Sequence, residues 1–77
     1  MSIIPAQCRA ARAMLSWSRD ELAERSNVGR RTIVDFERDA RSPHASTRQV
    51  LRLAFEAAGI EFIDANGGGA GVRFKEP

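Results

Sequence analysis

The sequence predicts a mainly α-helical domain of about four helices, followed by a short C-terminal β-hairpin or β extension. Apolar residues recur every three to four positions through most of the chain, which is the period of an α-helix packed on a core. Nearer the C-terminus, residues 60–64 (IEFID) and 72–75 (VRFK) alternate apolar with polar residues around the glycine loop ANGGGAG. We therefore expect a helical domain over residues 1–58 and a β extension over residues 59–77.

The first two helices are predicted from their starting residues. Proline suits the first position of a helix because its missing N–H has no partner there, so the first helix runs roughly from Pro5 to Leu15. Ser18 followed three residues later by Glu21 is typical of a capping box. The second helix therefore begins after Ser18 and runs to about Arg25.

The third and fourth helices follow two breaks in the pattern. After a turn at residues 26–27, the third helix runs from Gly29 or Arg30 to about Arg38. The loop DARSPHA precedes a fourth helix that starts at Ser46 or Thr47 and ends before Gly59. Its expected apolar face consists of Val50, Leu51, Ala54, Phe55 and Ala58.

The charge of the chain is unevenly distributed. The 77 residues carry a net charge of +2, but residues 1–53 contain ten arginines against six acidic residues, whereas residues 54–77 are net acidic. Arginine suits bidentate contacts with phosphate and guanine. The bias favours a polyanionic partner for the N-terminal part, although an arginine-rich composition also arises from a GC-rich genome.

Several functional classes are excluded or disfavoured. A single cysteine, Cys8, excludes an internal disulfide and fits a reducing compartment. No apolar run approaches membrane-spanning length, and the first residues lack a signal-peptide pattern, so we expect a soluble cytoplasmic protein with no membrane partner. One histidine and one cysteine cannot make a usual zinc site, and no nucleophile–base pair is evident. We expect no enzymatic activity, cofactor or metal.

The most informative segment is Ser18–Arg38, which is predicted to form a helix-turn-helix. The second helix of this motif, which is the third helix of the chain, opens with Arg30 and Arg31. From these positions such a helix reaches base edges in the major groove of DNA. Asp35 lies four residues after Arg31 on the same face. It could pair with Arg31 or accept a hydrogen bond from cytosine. These three residues are the base-reading candidates, and an ordinary solvated helix face is the alternative.

A second group of polar side chains is predicted to contact DNA phosphates. Arg19 lies in the first turn of the second helix, where free N–H groups favour an anion. The others cluster in the third helix, the following loop and the early fourth helix. The full set is Arg19, Thr32, Arg38, Arg41, Ser46 and Arg48.

The stretch LSWSRDELAERSNVGRRTIVDFERDARSP resembles the helix-turn-helix of the Cro/CI-type (XRE-like) transcriptional regulators of bacteria and phages. The matching residues are Leu22-Ala23, Val28, Thr32-Ile33 and Glu37, and the resemblance covers roughly Pro5–Ala58. It implies a lambda-repressor-like bundle and base contacts by the candidates above. It also implies a structural salt bridge between Arg12 and Glu37.

The chain departs from that family pattern in two residues and in its C-terminal part. Arg19 replaces the usual phosphate-binding glutamine, and Gly29 replaces a common serine or threonine. The family usually has a fifth helix where this chain is predicted to have strands. The β tail resembles that of small regulators, including antitoxins of the HipB type, that dimerise through a shared C-terminal sheet. We therefore expect dimerisation through Ile60, Phe62, Val72 and Phe74, and the alternative is that the helices of the same chain supply the partner that an isolated hairpin needs.

These observations predict a sequence-specific DNA-binding regulator, most simply a repressor, that binds a palindromic operator in double-stranded DNA as a homodimer. The alternative is an antitoxin, which would bind a toxin protein and repress its own operon. An adaptor that binds only protein is a weaker rival, because it leaves the paired arginines unexplained.

Overall fold

The computed structural model describes residues 3–76. Within this range four helices precede a two-stranded antiparallel sheet. The helices are α1 (Pro5–Leu15), α2 (Arg19–Ser26), α3 (Arg30–Glu37) and α4 (Ala45–Ala57), and the strands are β1 (Ile60–Ile63) and β2 (Gly71–Phe74). The predicted fold class is confirmed. No helix in the described residues is long and apolar enough to cross a membrane.

Local hydrogen bonds fix the ends of the first two helices. The backbone N–H of Ile4 donates to the Gln7 side chain at 3.0 Å, one turn inside α1. The Ser18 hydroxyl accepts the N–H of Glu21 at 3.0 Å and so caps α2, as the sequence predicts. The Glu21 carboxylate accepts a hydrogen bond from Arg25 Nε at 2.6 Å, on the exposed side of α2. These hydrogen bonds at the first turn therefore set the starting residues of both helices.

The helices and the hairpin share one hydrophobic core. Phe55 of α4 stacks on Trp17 with ring centroids 5.6 Å apart and meets Phe62 of β1 edge-on at 5.9 Å. Leu22 and Ile33, from the two helices of the predicted DNA-binding motif, are fully buried against the same core. The position of that motif therefore depends on packing against the rest of the chain.

The structure corrects one expected core position on α4. Leu51 and Phe55 are buried as expected, but Val50 is 41% exposed. Val50 directly precedes the inward Leu51, and neighbouring residues of a helix are rotated by about 100° around its axis. This rotation carries Val50 out of the core. The first helical residue is Ala45, slightly before the predicted start.

The hairpin packs onto its own chain, and its predicted role in dimerisation stays a prediction. In the register of the sheet Ile60 lies opposite Phe74 and Phe62 opposite Val72, so the four side chains share one face. Ile60 and Phe62 are almost fully buried, and Val72 packs partly against the same core. The helices of the same chain therefore cover most of this face. Phe74 alone remains 55% exposed.

Gln7 connects α1 to this hairpin. Its buried side-chain amide donates to the carbonyl oxygens of Ile63 at 3.2 Å and Gly71 at 2.9 Å, at the far end of the two strands from Gly59. At the other end, the N–H of Lys75 donates to the Gly59 carbonyl oxygen at 2.8 Å. These contacts hold both ends of the hairpin against the helices.

Candidate DNA-binding surface

The turn between α2 and α3 is fixed by one buried side chain and one left-handed residue. The Ser26 hydroxyl donates to the Leu22 carbonyl oxygen at 2.7 Å and accepts the N–H of Val28 at 3.2 Å. Asn27 between them has a φ of 61°, a conformation that asparagine tolerates better than most residues. Ser26 therefore spans the turn and sets where α3 begins.

The inner side of α3 is attached to the rest of the protein by a buried carboxylate. Ile33 and Phe36 pack in the core, and Glu37 is only 1% exposed. Arg12 donates to both carboxylate oxygens of Glu37, from Nε at 2.7 Å and from Nη2 at 2.8 Å. This bidentate ion pair joins α1 to the C-terminal end of α3.

Two further donors complete the carboxylate site of Glu37. Arg19 Nε, at the start of α2, lies 3.0 Å from Oε1, and the buried Cys8 thiol lies 3.0 Å from Oε2. Arg9 donates to the backbone carbonyl oxygen of Glu37. The carboxylate is thus contacted from both α1 and α2, which fixes the orientation of α3 relative to both helices.

These contacts determine the ionisation of the cluster. Burial raises the pKa of the Glu37 carboxyl, but the hydrogen bonds from Arg12, Cys8 and Arg19 outweigh it, and the pKa lies below its ordinary value. Burial, followed by the hydrogen bond to the Glu37 carboxylate, raises the pKa of the Cys8 thiol. Cys8 is therefore a neutral donor to a charged carboxylate, and not a reactive thiolate.

The arginine side chains on the outer side of α3 are exposed to solvent. The Arg31 side chain is 88% exposed, and its Nε lies 3.4 Å from Asp35 Oδ2, one turn further on. Arg30 Nε lies 2.6 Å from Asp20 of α2, in a pair whose two side chains are both exposed. Exposed ion pairs of this kind contribute little to stability, so both arginines can exchange their carboxylates for DNA groups at small cost.

Some of the residues predicted to bind phosphate lie beside this side, whereas Arg38 lines a separate groove with Pro5 and Arg9 of α1. Arg31, Asp35 and Thr32 line a groove together with Arg41, from the loop before α4. Arg38 and Ser46 are exposed, and Arg48 is half-buried with no hydrogen-bond partner for its Nε. Arg19 is also half-buried, but its Nε is directed to Glu37. The structure thus brings α3 and the following loop to one basic surface and places Arg19 where this surface meets the interior.

Comparison with known families identifies the fold. The helix-turn-helix family model matches residues 9–54, which is more than half of the chain. The chain belongs to the helix-turn-helix family. A search of curated proteins found no match. Membership confirms the resemblance to XRE-like regulators. Because this family consists of DNA-binding regulators, this helix-turn-helix protein is a DNA-binding regulator.

Three residues of the site were missed by the sequence analysis. Asp20 is the partner of Arg30, Cys8 is a donor to Glu37, and Gln7 connects α1 to the hairpin. Gln7 and Cys8 lie one turn before Ala11, which is itself fully buried. The helical period alone therefore carried the signal that both polar side chains face inward.

Proposed function

We propose that the protein is a sequence-specific transcriptional repressor that acts in the cytoplasm by binding a palindromic operator in double-stranded DNA as a homodimer. Family membership supports binding to DNA, and the exposed Arg31 at the start of α3 is the observation that carries sequence specificity. The N-terminal residues of a recognition helix are those that contact base edges.

Arg31 is the principal base-reading residue in this proposal. Its guanidinium is almost fully exposed and is held by Asp35 at 3.4 Å, which favours an extended side chain directed away from the helix start. An extended guanidinium can donate two hydrogen bonds to O6 and N7 of guanine. Arg30 and Asp35 also contact bases in this proposal. Arg30 does so after its ion pair with Asp20 is replaced by a hydrogen bond to an acceptor on DNA.

Phosphate contacts supply most of the affinity in this proposal. The residues proposed to make these contacts are either exposed or half-buried, the exposed ones being Arg38, Arg41 and Ser46 and the half-buried ones Arg19, Thr32 and Arg48. Each phosphate neutralised by a cation releases a counterion, so the binding constant should fall steeply as salt increases. A binding constant independent of salt would contradict this electrostatic contribution.

Selection of bound duplexes from a random DNA library, with the full chain, tests the proposal. We expect an enriched palindrome with half-sites about one helical turn apart. An enriched single half-site would retain sequence-specific binding and remove the dimer. No enrichment by folded protein would contradict the repressor and favour the antitoxin alternative, in which a toxin protein is the main partner.

A further inference from the structure

One side of α4 is exposed, partly apolar and uncharged. Its residues are spaced by three or four positions, which aligns them along one side of the helix. We call this surface the α4 stripe, and it consists of Ser46, Gln49, Val50, Leu53 and Ala57, all of them exposed. Val50 is 41% and Leu53 53% exposed, two of four large apolar side chains exposed to this degree in residues 3–76.

The absence of charge from the stripe is notable in a chain in which 29% of residues are charged. The charged residues of α4 are Arg48, Arg52 and Glu56, and each lies outside the stripe. Arg52 and Glu56 pair with each other at 3.0 Å along one flank. The stripe is therefore a neutral surface with the charged residues of α4 along one flank.

A neutral surface of this kind fits a second copy of the same chain. In a two-fold contact the same patch meets itself, so a charged residue near the axis would face its own like charge. Uncharged residues avoid that repulsion and allow the apolar side chains to be buried. A toxin or another protein would place no such requirement on this side of α4.

The location of the stripe agrees with a dimer that binds DNA. Ser46 and Val50, near its N-terminal end, line a groove with Val28, Gly29 and Thr32 of the helix-turn-helix. A contact centred on Leu53 therefore joins two subunits beside their recognition helices. The molecule measures 31 × 25 × 19 Å, and its longest dimension is close to the length of about 34 Å that one DNA turn spans.

We propose that the α4 stripe, centred on Val50 and Leu53, is the surface through which two copies of this chain dimerise. This inference rests on the proposed function for its dimeric state and is an alternative to dimerisation through the hairpin, most of whose inner face is covered by its own helices. Ser46, at the end of the stripe nearest to the motif, stays at the rim of the contact.

Sedimentation velocity of the full chain without DNA, over a wide range of protein concentration, tests the surface. Leu53→Arg should raise the dimer dissociation constant by more than about tenfold, because two leucines leave the contact and two like charges face each other. Phe74→Arg is the matched control, since Phe74 is 55% exposed and lies on the hairpin. This variant should dimerise as the parent chain does.

A monomeric parent chain, a dimeric Leu53→Arg variant or a monomeric Phe74→Arg variant would each overturn the proposal. Circular dichroism establishes that the variants fold, and Leu53→Gln, which adds no charge, takes the place of Leu53→Arg if that variant does not. A monomeric Leu53→Arg variant that still binds a single half-site supports both proposals. A parent chain that dimerises through α4 but binds no DNA would contradict the proposed function alone.

Discussion

The two sides of α3 use charge in opposite ways. On the inner side Glu37 is nearly inaccessible to water, and donors from α1 and α2 occupy its carboxylate. On the outer side Arg30 and Arg31 form ion pairs that are open to solvent. One eight-residue helix thus carries both the charge that holds it in place and the charges available to a ligand.

This difference follows from the dielectric surroundings of each group. A buried charge interacts strongly with its partners and is costly to leave unpaired, whereas an exposed pair is screened by water and gains little. The inner carboxylate therefore contributes to the stability and orientation of α3. The outer arginines can change partners without disturbing the fold, which is what a DNA-reading surface needs.

The largest expected effect comes from the inner side. Glu37→Gln should lower the free energy of unfolding by about 3–5 kcal/mol, because it leaves Arg12 and Arg19 without their carboxylate. Urea denaturation followed by circular dichroism measures this loss. Glu21→Gln removes the partner of Arg25 in a pair whose two side chains are exposed, and it should cost no more than about 0.5 kcal/mol. Equal losses in the two variants would mean that burial does not distinguish these pairs.

The same carboxylate should give the protein an acid-sensitive stability. The pKa of Glu37 is lower in the folded chain than the value of about 4.3 expected when it is unfolded, so the unfolded state binds more protons in this range. The stabilisation is complete above pH of about 4.3 and is lost as the pH falls through the folded pKa. Glu37→Gln should flatten this part of the curve of stability against pH. Parallel curves for parent and variant would show that other acidic groups cause the acid sensitivity.

The outer side should respond in binding and not in stability. Arg31→Ala should cost about 1–3 kcal/mol of discrimination at one base position and relax the preference there. Its free energy of unfolding should change by less than about 0.5 kcal/mol, because the side chain is 88% exposed. Binding to the selected operator and to single-base variants measures the first effect. A loss of equal size on every sequence would place Arg31 on a phosphate.

The sequence predicts the local features of the molecule better than its long-range contacts. Capping residues and apolar period predict α1 with its observed ends and place Leu51 and Phe55 of α4 in the core. These signals are local, since each depends on residues within about one helical turn. The exposed arginines of α3 are predicted by the same means, because a helix that starts at Arg30 shows which residues remain outside.

The remaining contacts could not be predicted because they join distant parts of the chain. The Cys8 thiol reaches Glu37 across 29 positions, and Gln7 reaches Gly71 across 64. The face of the hairpin is a similar case. Its alternation predicts that Ile60 and Phe62 share one side, but only the packed structure shows that their own helices cover it.

Arg19 of α2 contacts the buried Glu37 of α3 and is also partly exposed, so it shares properties of the inner and the outer side. We expect its substitution to give the smallest and most informative effect. Its Nε is directed to Glu37 while its side chain remains one-third exposed at the start of α2, where an anion is favoured. Arg19→Ala should weaken binding to all sequences alike and reduce the slope of log binding constant against log salt by about one. It should also cost about 1 kcal/mol of stability, since one of several donors to Glu37 is lost.

The comparison with Arg38→Ala separates these two roles of Arg19. Arg38 is exposed, so its loss should change the salt slope and leave the stability unchanged. If Arg19→Ala alters stability but leaves the salt slope as it was, Arg19 belongs wholly to the inner side. The arginine found here in place of the glutamine usual at this position would then serve to bind Glu37, and the phosphate contacts would be left to α3 and the loop that follows it.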